Sequence, residues 1–170
     1  MFTQECGAQT SINTIGFHPS GVLYTVYQAV MRRIRLLTGT AHTITATGLN
    51  NDLPGLVFDK LGNAWAFNFG TKHLFKISGI NPLDDTVALT ITDYGAISNI
   101  SIVGGGDLFF HNQLLYVVAQ VGVGGPYKLI RIDFTSTART ALAATPGVDL
   151  GIIKDTGGSN IANVVSASVL

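Results

Sequence analysis

The sequence predicts an all-β protein in which four-stranded antiparallel sheets follow one another along the chain. Two observations lead to this prediction. A pair of strand-like segments recurs three times, and Thr, Val, Ile, Leu and Gly dominate the composition while the helix-favouring residues Glu and Lys are scarce. A unit repeated about every forty to fifty residues cannot bury its apolar face alone, so its copies are expected to stack.

The repeat contains two segments, each present in three copies. The first reads GVLY at Gly21–Tyr24, GNAW at Gly62–Trp65 and QLLY at Gln113–Tyr116. The second reads RIRL at Arg33–Leu36, LFKI at Leu74–Ile77 and LIRI at Leu129–Ile132. Adding 41 carries the first copy onto the second, Phe17 onto Phe58 and Arg35 onto Lys76. Adding 51 carries Phe58 onto Phe109, while the last segment of the third copy requires 55.

At 170 residues the chain can hold one domain with its own hydrophobic core. We predict an N-terminal lead-in over residues 1–10 and a single domain over residues 11–170, with units at about 11–53, 54–105 and 106–145 and a partial unit at 146–170. The extra residues of the later copies fall around Ile80–Ser101 and in the glycine-rich Gly122–Pro126, as expected of surface loops on a repeated scaffold.

The second unit illustrates how each copy forms its strands. Gly55–Phe58 is a short apolar strand, and the turn that follows combines an Asp, whose carboxylate can bond the backbone two residues on, with a Gly that accepts positive φ. Ala64–Phe69 alternates large and small side chains, which is the period of a strand. The sheet is completed by His73–Ser78 and Thr86–Thr92, and the equivalent outer strands of the other units are Ala41–Thr47 and Ala138–Ala144.

The alternation in this second strand predicts how the sheets pack. Trp65, Phe67 and Phe69 lie on one face, and Ala64 and Ala66 lie on the other. Large side chains on one face and small ones on the other suit sheets packed face to face. We therefore predict that Trp65 and Phe67 are buried between neighbouring sheets.

The last part of the sequence starts a fourth unit. Ile152–Gly157 resembles the turn after Val57, and Ile161–Leu170 can supply a strand, but no segment like LFKI follows. Three and a half units neither close a ring nor cap its ends, and open strand edges attract further strands. The sequence therefore predicts a β-propeller-like array that is incomplete or closed by partner chains, with Ile161–Leu170 paired to something outside the first three units.

The repeated blocks resemble the blades of known propellers. The matching blocks are INTIGFHPSGVLY at Ile12–Tyr24, GLVFDKLGNAW at Gly55–Trp65, LFKISG at Leu74–Gly79 and LIRIDFT at Leu129–Thr135. They are similar to blocks of bacterial surface propellers, including the DUF6923-type domain and the wider NHL and YVTN group. The resemblance covers about residues 11–155. It implies an extracellular scaffold or adhesion module, usually without a catalytic role of its own.

Charge and apolar run length argue against several classes of protein. Formal net charge is zero, which disfavours a general nucleic-acid binder, and no apolar run approaches the ~20 residues of a membrane helix. Only 12% of residues are charged, so much of the surface is expected to meet a partner. Cys6 stands alone, which excludes an internal disulfide framework. We expect a location on the extracellular surface or in a virion, and the absence of a visible signal peptide leaves a cytoplasmic location open.

No motif predicts a catalytic, cofactor-binding or metal-binding residue. The four histidines lack metal-site spacing, the loop aspartates lack a calcium-loop pattern, and no GxSxG sequence marks a nucleophile. The glycine clusters at 104–106 and 122–125 are not followed by the Lys-Ser or Lys-Thr of a phosphate-binding loop. A Ser–His–Asp triad stays open, because such residues come together only in space.

One row of basic residues is the candidate for contact with a ligand or partner. Arg35, Lys76 and Arg131 share a repeat position and alternate with apolar neighbours. Such a row could meet an anionic partner, and it equally fits a role in keeping strand surfaces soluble and guarding against slipped pairing. Trp65 is a further candidate, since its ring could stack on a glycan.

The sequence favours a non-catalytic structural or recognition module of a larger surface assembly, such as a cell-surface filament, an adhesin or a phage virion appendage. Its partners would be other proteins or copies of itself, without a cofactor. The alternative is a small-ligand or carbohydrate-binding propeller, with Tyr24, Trp65 and Tyr116 as stacking residues. A propeller lyase or hydrolase is a third class, for which the sequence supplies no motif.

Overall fold

The protein folds into three consecutive four-stranded antiparallel sheets. A computed structural model describes residues 14–27, 30–45, 53, 55–133 and 145–160, and this part of the chain contains β-strands and no helix. The first sheet consists of β1 (Thr14–Phe17), β2 (Leu23–Tyr27), β3 (Val30–Ile34) and β4 (Ala41–Thr45). The second consists of β5 (Gly55–Phe58), β6 (Ala64–Phe67), β7 (His73–Ser78) and β8 (Thr90–Ser98), and the third of β9 (Ile102–His111), β10 (Leu114–Val121), β11 (Tyr127–Ile132) and β12 (Thr145–Ile152). The all-β prediction and the repetition of four-stranded antiparallel sheets are confirmed.

A tight turn recurs where a first strand passes into a second. A glycine N–H donates to the carbonyl three residues back at 2.8–3.0 Å in three places, from Gly21 to His18, Gly62 to Asp59 and Gly158 to Asp155. These glycines have φ between 82° and 85°, which glycine adopts without steric cost. The third copy follows β12, where the sequence predicts the turn of a fourth unit over Ile152–Gly157, and it closes one residue later than predicted, at Gly158.

One hairpin differs from the predicted register. Phe110, not Phe109, is the counterpart of Phe58, because strand pairing in the third sheet is displaced by one residue. The cause is a shorter connection between β9 and β10, closed by a two-residue turn at Asn112 and Gln113 with φ values of 49° and 66°. Two successive residues with positive φ match the twist of the flanking strands.

The outer strands agree with the prediction in part. Over the described residues, β4 matches the predicted strand at 41–47. The strand predicted at Thr86–Thr92 is instead β8, because side chains of Asn81 and Asp84 accept backbone N–H bonds and hold residues 81–86 in turns. The insertion predicted at Gly122–Pro126 is the loop between β10 and β11.

Three predicted segments lie outside the described residues. They are the lead-in at 1–10, the outer strand at 138–144 and the terminal strand Ile161–Leu170. The fourth strand of the third sheet is β12, which pairs with β11 from Ile132↔Gly147 to Lys128↔Ile152.

The three sheets pack face to face through two apolar clusters. In each cluster an aromatic side chain of one sheet packs on a phenylalanine ring and on smaller side chains of the next sheet. The first cluster brings together Tyr24, Val26, Ala64 and Ala66. The second brings together Trp65, Phe67, Leu115 and Val117. The prediction that Trp65 and Phe67 are buried between sheets is confirmed, since their exposures are 7% and 0%.

Backbone contact between neighbouring sheets runs along their first strands. β1 contacts β5, and β5 contacts β9. At Gly16 an added Cβ would lie 2.9 Å from the carbonyl oxygen of Leu56 in the next sheet. Only a residue without a side chain permits this approach.

The second and third sheets are also hydrogen-bonded to each other at their outer strands. Thr145 and Pro146 of β12 pair in parallel with Ile97 and Ser98 of β8. Next to this pairing, the side-chain amide of Asn99 donates to the Gly147 carbonyl at 2.9 Å and accepts from the Gly147 N–H at 3.1 Å. Eight strands therefore form one hydrogen-bonded body, and the first sheet packs against it.

Candidate functional site

Every sheet places an aromatic residue directly opposite a basic residue on its second and third strands. The pairs are Tyr24↔Arg33, Trp65↔Lys76 and Tyr116↔Arg131. Directly opposite residues in an antiparallel pair project from the same face. In the second sheet the Lys76 ammonium lies 5.7 Å from the centre of the Trp65 ring, a cation–π contact.

The basic row predicted from the sequence is therefore corrected at one member. Lys76 and Arg131 do share a position, but their counterpart in the first sheet is Arg33, and Arg35 lies exposed beyond the end of β3. The shift arises because the connection between β6 and β7 is longer than that between β2 and β3. Adding 41 at every position matches Arg35 with Lys76 only where these two connections have the same length.

Asp59 organises the turn of the second sheet and holds the indole of Trp65. Its Oδ1 accepts the N–H groups of Leu61 and Asn63, each at 2.9 Å, and its Oδ2 accepts Nε1 of Trp65 at 3.0 Å. Burial pushes the pKa of Asp59 upward, but these hydrogen bonds outweigh it and hold the pKa below its ordinary value. The Asp59 carboxylate thus stabilises the turn and the position of the indole, and the Trp65 ring is buried.

Arg33 joins the first sheet to a loop of the second. Its guanidinium donates to the carbonyl of Pro82, and its Nη2 lies 2.6 Å from Oδ2 of Asp85. The Arg33 side chain is only 10% exposed. Burial raises the pKa of the adjacent Tyr24, which Arg33 lowers and Asp85 raises by smaller amounts. This pair is a clamp between the two sheets.

An open cleft of about 510 Å³ lies over this clamp. Its walls include Arg35, Leu36, Leu37 and Leu83, all exposed to solvent. Arg33 lies at its base with both Nη groups already engaged. The cleft therefore offers apolar walls and a largely neutralised cation, and Arg35 is the exposed charge beside it.

The hairpin turns of the three sheets contact one another along one edge. Gly62 of the second sheet lies against the imidazole of His18, so close that an added Cβ would overlap Nε2. Lys60 donates to the side-chain amide of Gln113 in the third sheet. Burial lowers the pKa of His18, which favours its neutral form. Histidine at this position is a packing residue between turns.

The second and third sheets each carry a contact between a basic side chain and an aspartate beside the same irregularity. His73 contacts Asp93 at 2.8 Å, and Lys128 contacts Asp149 at the equivalent positions. Each aspartate also accepts the N–H of the glycine two residues on, where the strand register shifts. These carboxylates stabilise β-bulges in β8 and β12.

The outer face of the first sheet, formed by Ile15, Phe17, Leu23 and Thr25, points away from the second sheet. Ile15 and Phe17 are 55% and 58% exposed. Their counterparts in the second sheet pair identically and are buried, Leu56 at 3% and Phe58 at 8%. The first sheet thus exposes two apolar side chains of β1 at positions that the second sheet buries, whereas Leu23 and Thr25 of the same face are themselves buried.

The outer face of the third sheet, formed by Phe109, Tyr116, Leu129, Arg131 and Leu150, is the corresponding surface at the other end. The rings of Phe109 and Tyr116 are stacked, with centres 5.3 Å apart and planes within 8°. Leu150 is 47% exposed, and Leu129 is half-buried.

Two of these residues have better-covered counterparts on the second sheet. Leu74, the counterpart of Leu129, is 0% exposed, and Tyr94, the counterpart of Leu150, is half-buried and packs on Trp65 with ring centres 5.4 Å apart. The third sheet therefore exposes more apolar surface than its neighbour at these two positions.

Val118 lies on the same face of the third sheet and is itself buried, at 3% exposure.

Other candidate chemistry does not assemble in the described residues. Within 14–27, 30–45, 53, 55–133 and 145–160, no three His, Cys, Asp or Glu side chains come together as a metal site would require. The same residues include no helix with the length and apolar character needed to cross a membrane.

Sequence reasoning missed the Arg33–Asp85 clamp and the link from Asp59 to Trp65. The clamp joins residues 52 positions apart, so no local pattern reveals it. The Asp59 link has a signal, because the carboxylate and the indole are six residues apart across one hairpin.

No protein-family model matches the chain, and no curated protein sequence is similar to it at a significant level.

Proposed function

We propose that the chain is a non-catalytic structural module of a larger assembly, in which the three sheets are consecutive blades of a β-propeller and the two outer faces bind protein partners. The observation that carries the proposal is the exposure of Ile15, Phe17 and Leu150 at positions whose counterparts are buried between sheets or packed on Trp65. Ile15 and Phe17 are neighbours on one face of β1, and adjacent exposed apolar side chains of this kind are typical of interaction sites.

The repeat geometry supports the blade interpretation. Each sheet is a four-stranded meander, the sheets pack face to face, and contact runs along their first strands. A fourth copy of the opening turn, from Asp155 to Gly158, follows the third sheet. Blades around an axis share these features, because each sheet must bury both faces against its neighbours.

The setting we propose is an extracellular surface or a virion, in a filament, an adhesin or a phage appendage. The resemblance of the repeated blocks to bacterial surface propellers supports this setting. So does the low fraction of charged residues, 12%, since a chain with few charges stays soluble by covering its apolar faces.

The test uses an apolar fluorescent dye together with sedimentation of the full chain. We expect the chain to associate or, where it is monomeric, to bind the dye at its outer faces. The double variant Phe17→Lys/Leu150→Lys should lose both behaviours while unfolding at the same denaturant concentration. A monomer that binds no dye, and whose double variant behaves identically, would refute the proposal.

A second candidate function rests on the stacked rings of Phe109 and Tyr116. Flat aromatic surfaces at a protein exterior suit the apolar faces of sugar rings, and this pair lies on the outer face of the third sheet. A glycan array would test it. Binding that is lost in Tyr116→Ala and retained in Phe17→Lys would favour a carbohydrate ligand over a protein partner.

A further inference from the structure

The two outer faces resemble the two halves of an interface that already occurs twice inside the chain. We propose that the partner of each face is a second copy of this chain, with the outer face of the third sheet of one copy packed on the outer face of the first sheet of the other. This inference rests on the proposed function and names the partner for it.

The positions of the exposed residues carry the inference. Ile15 and Phe17 occupy on the first sheet the places that Leu56 and Phe58 occupy on the second. At the other end, Leu129 occupies on the third sheet the place of Leu74. The second sheet buries its residues against the first and third sheets of the same chain. One copy therefore carries two complementary surfaces. The outer face of its first sheet matches the surface on which a preceding sheet packs, and the outer face of its third sheet matches the surface on which a following sheet packs.

Ring contacts point in the same direction. Inside the chain, the aromatic residue of β2 or β6 lies beside a phenylalanine ring on the next sheet's first strand, with ring centres 5.3 Å and 6.3 Å apart in the two interfaces. The third sheet carries Tyr116 at the place of Trp65, and the first sheet carries Phe17 at the place of Phe58. Packing the third sheet on the first would place Tyr116 beside Phe17 and repeat this ring pair, whereas packing two like faces together would not.

Such a contact is heterologous, and it must either close into a ring or continue as a filament. The described residues of two copies supply six four-stranded sheets, and propellers of roughly four to eight blades are the ones that close. We therefore expect two copies related by a twofold axis, with two identical interfaces and both outer faces covered.

The test combines the particle mass with two single variants, Phe17→Lys on the first sheet and Leu150→Lys on the third. The wild-type chain should sediment at twice its mass of 17.9 kDa. Each variant alone should be monomeric at concentrations where the wild type is dimeric, because each carries the changed face into both interfaces.

Mixing the two variants provides the distinctive readout. One of the two interfaces then joins two unchanged faces, so the mixture should regain a dimer that neither variant forms alone. Leu37→Lys, at a fully exposed position in the turn after β3, is the matched control and should remain dimeric.

Every other outcome counts against head-to-tail pairing of two copies. A dimer that survives one of the two variants would show that one face packs on itself, and a larger particle would contradict closure by two copies. A wild-type chain that is monomeric at about 100 µM overturns the inference, including the case in which Leu150 is covered by the chain's own terminal segment. If that monomer still binds the apolar dye at its outer faces, the proposed function survives with a different partner.

Discussion

Gly62 shows how one position can be restricted by two independent physical requirements. Its φ of 82° lies in the left-handed region, and a Cβ added there would overlap Nε2 of His18 in the neighbouring sheet. Gly21 has nearly the same φ, 83°, in the equivalent turn, but nothing lies within 4 Å of a Cβ added there. Substituting each glycine in turn therefore distinguishes the free-energy cost of backbone strain from the cost of steric overlap with His18.

We predict that Gly62→Ala destabilises the protein more than Gly21→Ala. Both substitutions should cost about 1–2 kcal/mol for placing a side chain at positive φ. Gly62→Ala should cost about 1–3 kcal/mol more, because the methyl group displaces His18. Equilibrium unfolding in urea measures both changes, and equal losses would show that His18 moves aside freely.

At the scale of single elements, the strands depend on contacts from neighbouring sheets. β6 has short residues on one face and large ones on the other, and Trp65 adds a hydrogen bond to Asp59. β3 is held at its end by the Arg33 clamp to the loop at 82–85 of the second sheet. These two strands are where substitutions should have the largest effect.

We predict that Trp65→Ala lowers the free energy of unfolding by about 3–5 kcal/mol, the range for removing a buried aromatic side chain. Leu83→Ala is the control and should have little effect, because Leu83 is 91% exposed. Thermal and urea unfolding provide the measurement. Unchanged stability in the tryptophan variant, together with loss of binding to a glycan, would instead favour a role for Trp65 in stacking on a ligand.

We predict that Arg33→Ala costs about 2–3 kcal/mol, because it removes charge-assisted hydrogen bonds and leaves Asp85 without its cation. Arg35→Ala should leave the unfolding midpoint unchanged, since Arg35 is exposed beyond the end of β3. Urea titrations of the two variants side by side test the correction to the basic row. The opposite order of effects would contradict it.

The sequence is sufficient to predict the elements whose pattern is local. Alternation in β6 predicts its two faces, and the Asp and Gly of the second unit predict the turn at 59–62. The resemblance of Ile152–Gly157 to that turn predicts a further one, which closes one residue later, at Gly158. The sequence does not predict the register across connections of unequal length, so equal spacing places Arg35 where Arg33 lies. Nor does it predict the Arg33–Asp85 contact, because that contact depends on how two sheets face each other.

At the scale of the whole molecule, downward pKa shifts make stability depend on pH, and those of Asp59 and His18 belong to partly buried groups. Asp59 is held ionised by its hydrogen bonds, and His18 is held neutral by burial. In both cases the unfolded chain binds protons more readily than the folded chain, so stability rises with pH. The His18 contribution is fully present above about pH 6.5, and that of Asp59 above about pH 4.

We predict that the urea midpoint is lower at pH 3 than at pH 7, with the Asp59 part lost as the pH falls from about 4 through the folded-state pKa. Asp59→Asn should reduce the dependence in that acidic window, to which the lowered pKa values of Asp84 and Asp149 also contribute, and should leave the part near pH 6 unchanged. Asp155→Asn, in the same turn but exposed, is the matched control. Identical profiles for all three proteins would show that Asp59 does not set the acid limit.

Because β8 and β12 are hydrogen-bonded to each other, the molecule consists of two parts of unequal size. The second and third sheets share backbone hydrogen bonds and the amide of Asn99, whereas the first sheet is attached by side-chain packing and the Arg33 clamp. Local opening follows the weakest attachment. We therefore expect amides of β2 and β3 to exchange with deuterium through a partial detachment of lower free energy than global unfolding, while those of β7 and β10 exchange only when the whole chain unfolds. If two copies form a ring, detachment of the first sheet is the step by which one copy would join or leave the other.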